Sequence, residues 1–324
     1  MRNFLQLAAL LALTAASSAQ AEALRGTITL YTSEVLADVQ VQIDGFKRQY
    51  PGVDVKVFRS GSGEVTAKLT AEQAANNVQA DLLWVADPSY FDALSKKSLL
   101  EPLNVRGVRV PSSALYGGGT YAEVRKLYNV IGVNTKVLST LPKGFADLKK
   151  SEYKNKLAMP SPLFSGGALA TAGTLSRTYG WSYFEALAAG GLKIEQSNPV
   201  TTTKLINGEY GAAILVDYSL RREAAKGAPL AVVYPREGAI LVSTPIALLK
   251  SSANKAAAQA FVRYLLSSEG QTNFTKLSYV PVVPGIERPV GVPASVFTLP
   301  NADAYIAQNK ADISARFSTL FNLK

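Results

Sequence analysis

The 324-residue sequence carries a formal net charge of +10, is 48% hydrophobic, and contains neither Cys nor His. Disulfide stapling is therefore excluded, as are zinc sets built on Cys or His and nucleophilic triads that need either residue, so stability must come from buried apolar surface. Lys and Arg stand singly or in short pairs such as Lys96-Lys97 and Arg221-Arg222, not in the stripe that tracks a phosphate backbone, so nucleic acid is not an expected partner and the basic balance favours a small anion.

Arg2, an apolar run from Leu7 to Ala16, and the small-x-small tripeptide Ala19-Gln20-Ala21 have the layout of a secretory signal peptide over residues 1–21, with cleavage expected after Ala21 or two residues later. The apolar run is about half the ~20 residues that cross a bilayer, and no Cys near it offers a lipid attachment point. The expectation is an exported, soluble, monomeric protein, located in the periplasm. Its net charge is +9 once Arg2 is removed, and its length calls for two lobes.

Thr27 to Tyr31 reads as a buried strand. Val35, Val39, Ile43, Phe46 and Tyr50 then recur at helical spacing, until Pro51-Gly52 ends the helix. Val53, Val55 and Val57 alternate as a second strand, Ser60-Gly61-Ser62-Gly63 opens another helix, and Ala80 to Ala86 forms a third strand that stops at Asp87-Pro88. A second βα series runs through Lys156 to Met159, then Ser165-Gly166-Gly167 with a helix to Tyr179, and later Gly211 to Val216, Asp217-Tyr218 and a helix through Lys226. Leu127 to Val133 and Ile240 to Lys250 are candidate hinge crossings. A helix from Lys255 follows, then a capping-box pattern at Ser268-Glu269-Gly270-Gln271, a Pro-rich stretch and a terminal helix.

Strands and helices alternating in this way predict an α/β protein whose ligands bind beyond the strand C-termini. Six segments taken in order extend the likeness over the mature chain: Leu30-Tyr31-Thr32-Ser33, Phe46-x-x-x-Tyr50-Pro51-Gly52-Val53, Ser60-Gly61-Ser62-Gly63-Glu64, Asp81 to Pro88, Asn207 to Ala213, and Leu265 to Gln271. Together they resemble the periplasmic solute-binding proteins of ABC importers, in the branch that takes ferric iron, phosphonates or phosphosugars. The resemblance implies a type II periplasmic-binding fold with lobe 1 at 22–125 and 243–285, lobe 2 at 126–242 and 286–324, and a two-crossing hinge between them. It also implies a small-molecule or ion ligand held between the lobes, delivery to an ABC permease in the inner membrane, no cofactor and no catalysis.

Ser60, Gly61, Ser62 and Gly63 precede a helix, so their amides and hydroxyls suit an oxyanion, although the same serines would serve as caps. No Gly-Lys-Ser/Thr follows, so this is not a nucleotide loop. Ser165, Gly166 and Gly167 repeat the chemistry on the second lobe. Thr32 and Ser33 follow the first strand, and Asp87, Asp217 and Tyr218 follow later strands. Ser197, Asn198, Glu34 and Tyr234 are weaker candidates. In iron-binding members adjacent tyrosines ligate the metal. Here Asp217-Tyr218 occupies the matching position and no His is available, so the reading shifts from iron, with Asp217 and Tyr218 as its oxygen ligands, towards an oxyanion.

Overall fold

The computed structural model describes residues 24–323, so the expected signal peptide lies outside the described residues. The chain opens with β1 (Gly26–Thr32), α1 (Leu36–Gln49), β2 (Val53–Arg59), α2 (Ser62–Ala74), β3 (Leu82–Trp84) and α3 (Pro88–Lys96). Val39, Ile43 and Phe46 bury the inner face of α1, as their spacing predicts, while Val35 and Tyr50 sit at its two caps. Short strands β4 (Leu100–Glu101), β5 (Leu115–Tyr116) and β6 (Tyr121–Glu123) complete the first sheet's outgoing path. With β13 (Pro245–Leu249) added from later in the chain, its order is β2-β1-β3-β13-β6-β5, with β4 paired to β13.

β7 (Arg125–Asn134) begins the second sheet. It is followed by β8 (Leu157–Pro160), α4 (Gly166–Tyr179), α5 (Trp181–Ala189), β9 (Lys193–Glu195), α6 (Asn198–Asn207), β10 (Ala212–Val216), α7 (Asp217–Ala225), β11 (Leu230–Val233) and β12 (Ile240–Val242). That sheet runs β11-β7-β10-β8-β9, with β12 also on β7. The βα units supply the parallel pairs of both sheets, and β7 and β13 (Pro245–Leu249), one on each side of the crossing, add antiparallel ones. Each sheet with its helices forms one lobe.

The chain passes between sheets at Val124 and again at Ser243-Thr244, so the expected strand from Ile240 to Lys250 divides into β12 and β13. Thr244 N–H donates to Glu123 Oε2 at 3.1 Å, tying the two crossings together, and Trp84 Nε1 donates to Thr244 O at 3.0 Å. After β13 come α8 (Lys255–Leu265), α9 (Ser268–Lys276), β14 (Val280–Pro281) on β7, and α10 (Asp303–Phe321). The cap of α9 falls one residue earlier than expected, since Ser267 Oγ accepts from Gly270 N–H at 3.2 Å. Gln271 is instead buried, donating to Val124 O at 2.7 Å and accepting from Val282 N–H at 2.9 Å. Ile306, Ile313 and Phe317 of α10 share a core with Leu175 and Phe184. Among the described residues no helix is long and apolar enough to cross a membrane.

Candidate functional site

A cleft of about 340 Å³ lies between the lobes, walled by both. Five helices start on it. Val35 of α1 and Ser62 of α2 line it from the first lobe, and Gly166 of α4, Ser197 and Asn198 of α6, and Tyr218 of α7 line it from the second. The first N–H groups of a helix have no acceptor within it and carry the positive end of its dipole, so such convergence makes a chamber suited to negative charge. The sequence pattern anticipates two of these starts, at Ser60–Gly63 and Ser165–Gly167, as oxyanion sites.

Of the expected residues, Ser33, Ser60, Gly61, Ser62, Ser165, Gly166, Gly167 and Tyr218 line the cleft. Ser165 is also the cap of α4, its Oγ accepting from Ala168 N–H at 3.2 Å and from Asn198 Nδ2 at 3.1 Å. Four others do not reach the wall. Thr32 is fully buried and consumed locally, donating to Trp84 O at 2.7 Å and accepting from Glu34 N–H. Gly63 sits one residue inside α2. Asp87 caps α3 by accepting from Tyr90 N–H at 3.3 Å and pairs with Lys310 of α10 at 2.6 Å. Asp217 is fully buried beneath the cleft floor, where its carboxylate accepts from Tyr128 N–H at 3.0 Å, Arg221 Nη2 at 2.9 Å and Tyr234 Oη at 2.9 Å. It is a structural anion whose three donors leave it nothing to offer a ligand, and Tyr234 is spent on the same carboxylate.

The structure adds a group that motif reading does not find. Arg125, at the first hinge crossing, lines the cleft with 2% of its surface exposed. Its Nη2 donates to Glu34, while Nε and Nη1 have no partner among the described residues. Its guanidinium lies 4.7 Å from the Trp84 ring centre and 4.2 Å from that of Tyr279, and such faces favour a cation. Thr244 Oγ1, at the other crossing, also lines the cleft unpartnered. Leaving a buried donor unmet costs about 1–3 kcal/mol, so a ligand that accepts from these atoms recovers that cost on binding. The available signal is a charge two residues before the apolar hinge strand predicted from Leu127.

Arg59 and Glu64 also line the cleft. Arg59 Nε donates to Glu34 O at 3.2 Å, and Ser60 Oγ donates to Glu64. Burial pushes the Glu34 carboxyl above its usual range, with the Arg125 charge opposing. Burial likewise raises the Tyr218 phenol, which therefore stays protonated and able to donate. Among the described residues no three His, Cys, Asp or Glu side chains converge as a metal set.

Residues 28–279 match the family model described as bacterial extracellular solute-binding protein. A Salmonella typhimurium protein named for 2-aminoethylphosphonate binding in the periplasm is 27% identical over 289 residues, covering 84% of this chain and 82% of that one. The major ferric iron-binding protein of Neisseria meningitidis serogroup A is 28% identical over 281 residues, covering 82% and 81%. The solved periplasmic binding protein AfuA of Actinobacillus pleuropneumoniae, with exogenous fructose-6-phosphate bound, superposes with a TM-score of 0.82 at 21% identity, covering 92% of this chain and 99% of that one. With its two lobes, hinge and interlobe cleft, the chain belongs to the bacterial extracellular solute-binding protein family.

Proposed function

We propose that the cleft captures a small ligand bearing an oxyanion, a phosphonate or a phosphorylated metabolite. One observation carries the reading: Arg125 lines a chamber where five helices begin, and its buried Nε and Nη1 have no partner among the described residues. Guanidinium and oxyanion match in geometry as well as charge, and the hydroxyls of Thr244 and Tyr218 add short-range donors. A ligand touching both lobes stabilises the closed form by its higher affinity for that form, and closure is what the permease receives. Export with cleavage after Ala21, action as a monomer and delivery to an inner-membrane permease complete the proposal.

Ferric ion is the competing cargo, and three Neisseria relatives are named for it. Iron needs ionised oxygen donors, but Glu34 is tied to Arg125, Glu64 to Ser60, and burial raises the Tyr218 phenol, which disfavours its phenolate. A fixed guanidinium also repels a trivalent cation. Calorimetry of the mature protein with 2-aminoethylphosphonate, sugar phosphates and ferric citrate tests the choice. Tight binding of a phosphorus oxyanion is expected, and stabilisation by ferric ion alone would refute it.

A further inference from the structure

Glycine is expected where a backbone turns through positive φ, yet Gly61 and Gly166 occupy conformations that any residue adopts. Gly61 has φ −61° and ψ 153°, and Gly166 opens α4 outside the left-handed region. What these positions lack is space. A Cβ on Gly166 would lie 1.9 Å from the carbonyl oxygen of Ala86, and one on Gly61 would lie 2.8 Å from that of Phe164. Ala86 follows β3 in the first lobe, and Phe164 precedes α4 in the second, so both contacts cross the cleft. A Cβ on Gly63 would meet Leu163 O at an ordinary 3.4 Å.

We infer that Gly61 and Gly166 are the residues that permit closure: the lobes meet backbone to backbone at these two points, and a single methyl at either holds the clamp ajar. Both obstacles are main-chain carbonyls next to ordered elements, which cannot swing aside as a flexible side chain would. Because packed interfaces are bistable and do not deform continuously, a wedge of this size shifts the open–closed equilibrium and leaves each lobe intact. Alanine also suits a helix start better than glycine does, so Gly166→Ala should not weaken its own lobe. The inference rests on the clamp mechanism and is independent of which ligand is captured.

The chain has no Cys, so Ala67→Cys on α2 and Lys193→Cys on β9, both exposed, place two spin labels across the cleft. Pulsed electron spin resonance then reads interlobe distances in the mature protein, alone and with 2-aminoethylphosphonate or inorganic phosphate. The unmodified glycine background should show a short-distance closed population. Gly166→Ala should reduce it more than tenfold, Gly61→Ala severalfold, and Gly63→Ala less than twofold, with all three melting near the parent temperature. Should Gly166→Ala fail to fold, the ranking of Gly61→Ala against Gly63→Ala carries the test. A closed population that survives Gly166→Ala or Gly61→Ala unchanged overturns the inference, as does a parent protein in which the short distance never occurs.

Discussion

Two buried ion pairs lie close to the cleft, and they differ in whether it reaches them. Asp217 takes three donors, and its partner Arg221 also donates to Ser278 O at 2.7 Å, but neither residue lines the cleft, so this pair is closed to a ligand. Arg125 has one protein acceptor, Glu34, and both residues line the cleft, so this pair is open to one. The first pair holds β7 to α7. Among the described residues Nε and Nη1 are unpartnered in both arginines, and burial and charge are alike, so the distinction lies in access to the cleft.

Breaking the closed pair should produce the largest effect on folding. Asp217→Ala leaves Arg221 charged and buried, and a loss of about 3–5 kcal/mol is expected in urea unfolding. Breaking the open pair should fall on binding. Arg125→Met is expected to weaken oxyanion affinity by about 3 kcal/mol, roughly a hundredfold, in calorimetry on folded protein. If Arg125→Met binds like the parent, the contrast between the pairs collapses.

A smaller, pH-dependent effect is expected where the crossings join. Burial pushes Glu123 up from 4.5 to about 8. Arg125 opposes that shift, Asp303 and Glu34 add to it, and the Thr244 N–H bond lowers it. The folded state therefore keeps a proton that the unfolded chain releases, so this residue's contribution is full below about pH 4.5 and declines up to about pH 8. Glu34 and Asp303, also raised by burial, act with the same sign. Glu123→Gln keeps an acceptor for Thr244 N–H and should flatten the fall in melting temperature across that range. A parallel fall in both proteins would show that Glu123 is ionised throughout. The smallest effect is expected from Tyr218→Phe, which removes one hydroxyl and should cost about 1 kcal/mol, roughly fivefold in Kd.

The alternation of strands and helices was legible because burial imposes periodicity locally: Val39, Ile43 and Phe46 declare α1 without reference to any distant residue. The Ser-Gly loops were legible for a similar reason, since a strand end followed by a helix start is itself a local pattern. Arg125 was not, because its significance lies in Glu34, 91 residues away, and in Tyr279 beneath its guanidinium. Asp217 and Tyr218 show the limit most directly. They are neighbours in sequence, yet the first turn of α7 sends Asp217 into the lobe and presents Tyr218 to the cleft. The sequence marks the two glycines as ligand contacts, and only the opposing lobe shows what their missing side chains make room for.

The central claim is that the free edge of Arg125 holds an anion. Calorimetric titration of the mature protein and of Arg125→Met with 2-aminoethylphosphonate, a sugar phosphate and ferric citrate tests it most directly. The expected result is saturable binding of a phosphorus oxyanion that Arg125→Met weakens roughly a hundredfold. Ferric binding with tyrosinate-to-iron absorption, unaffected by Arg125→Met and with no oxyanion bound, would contradict it.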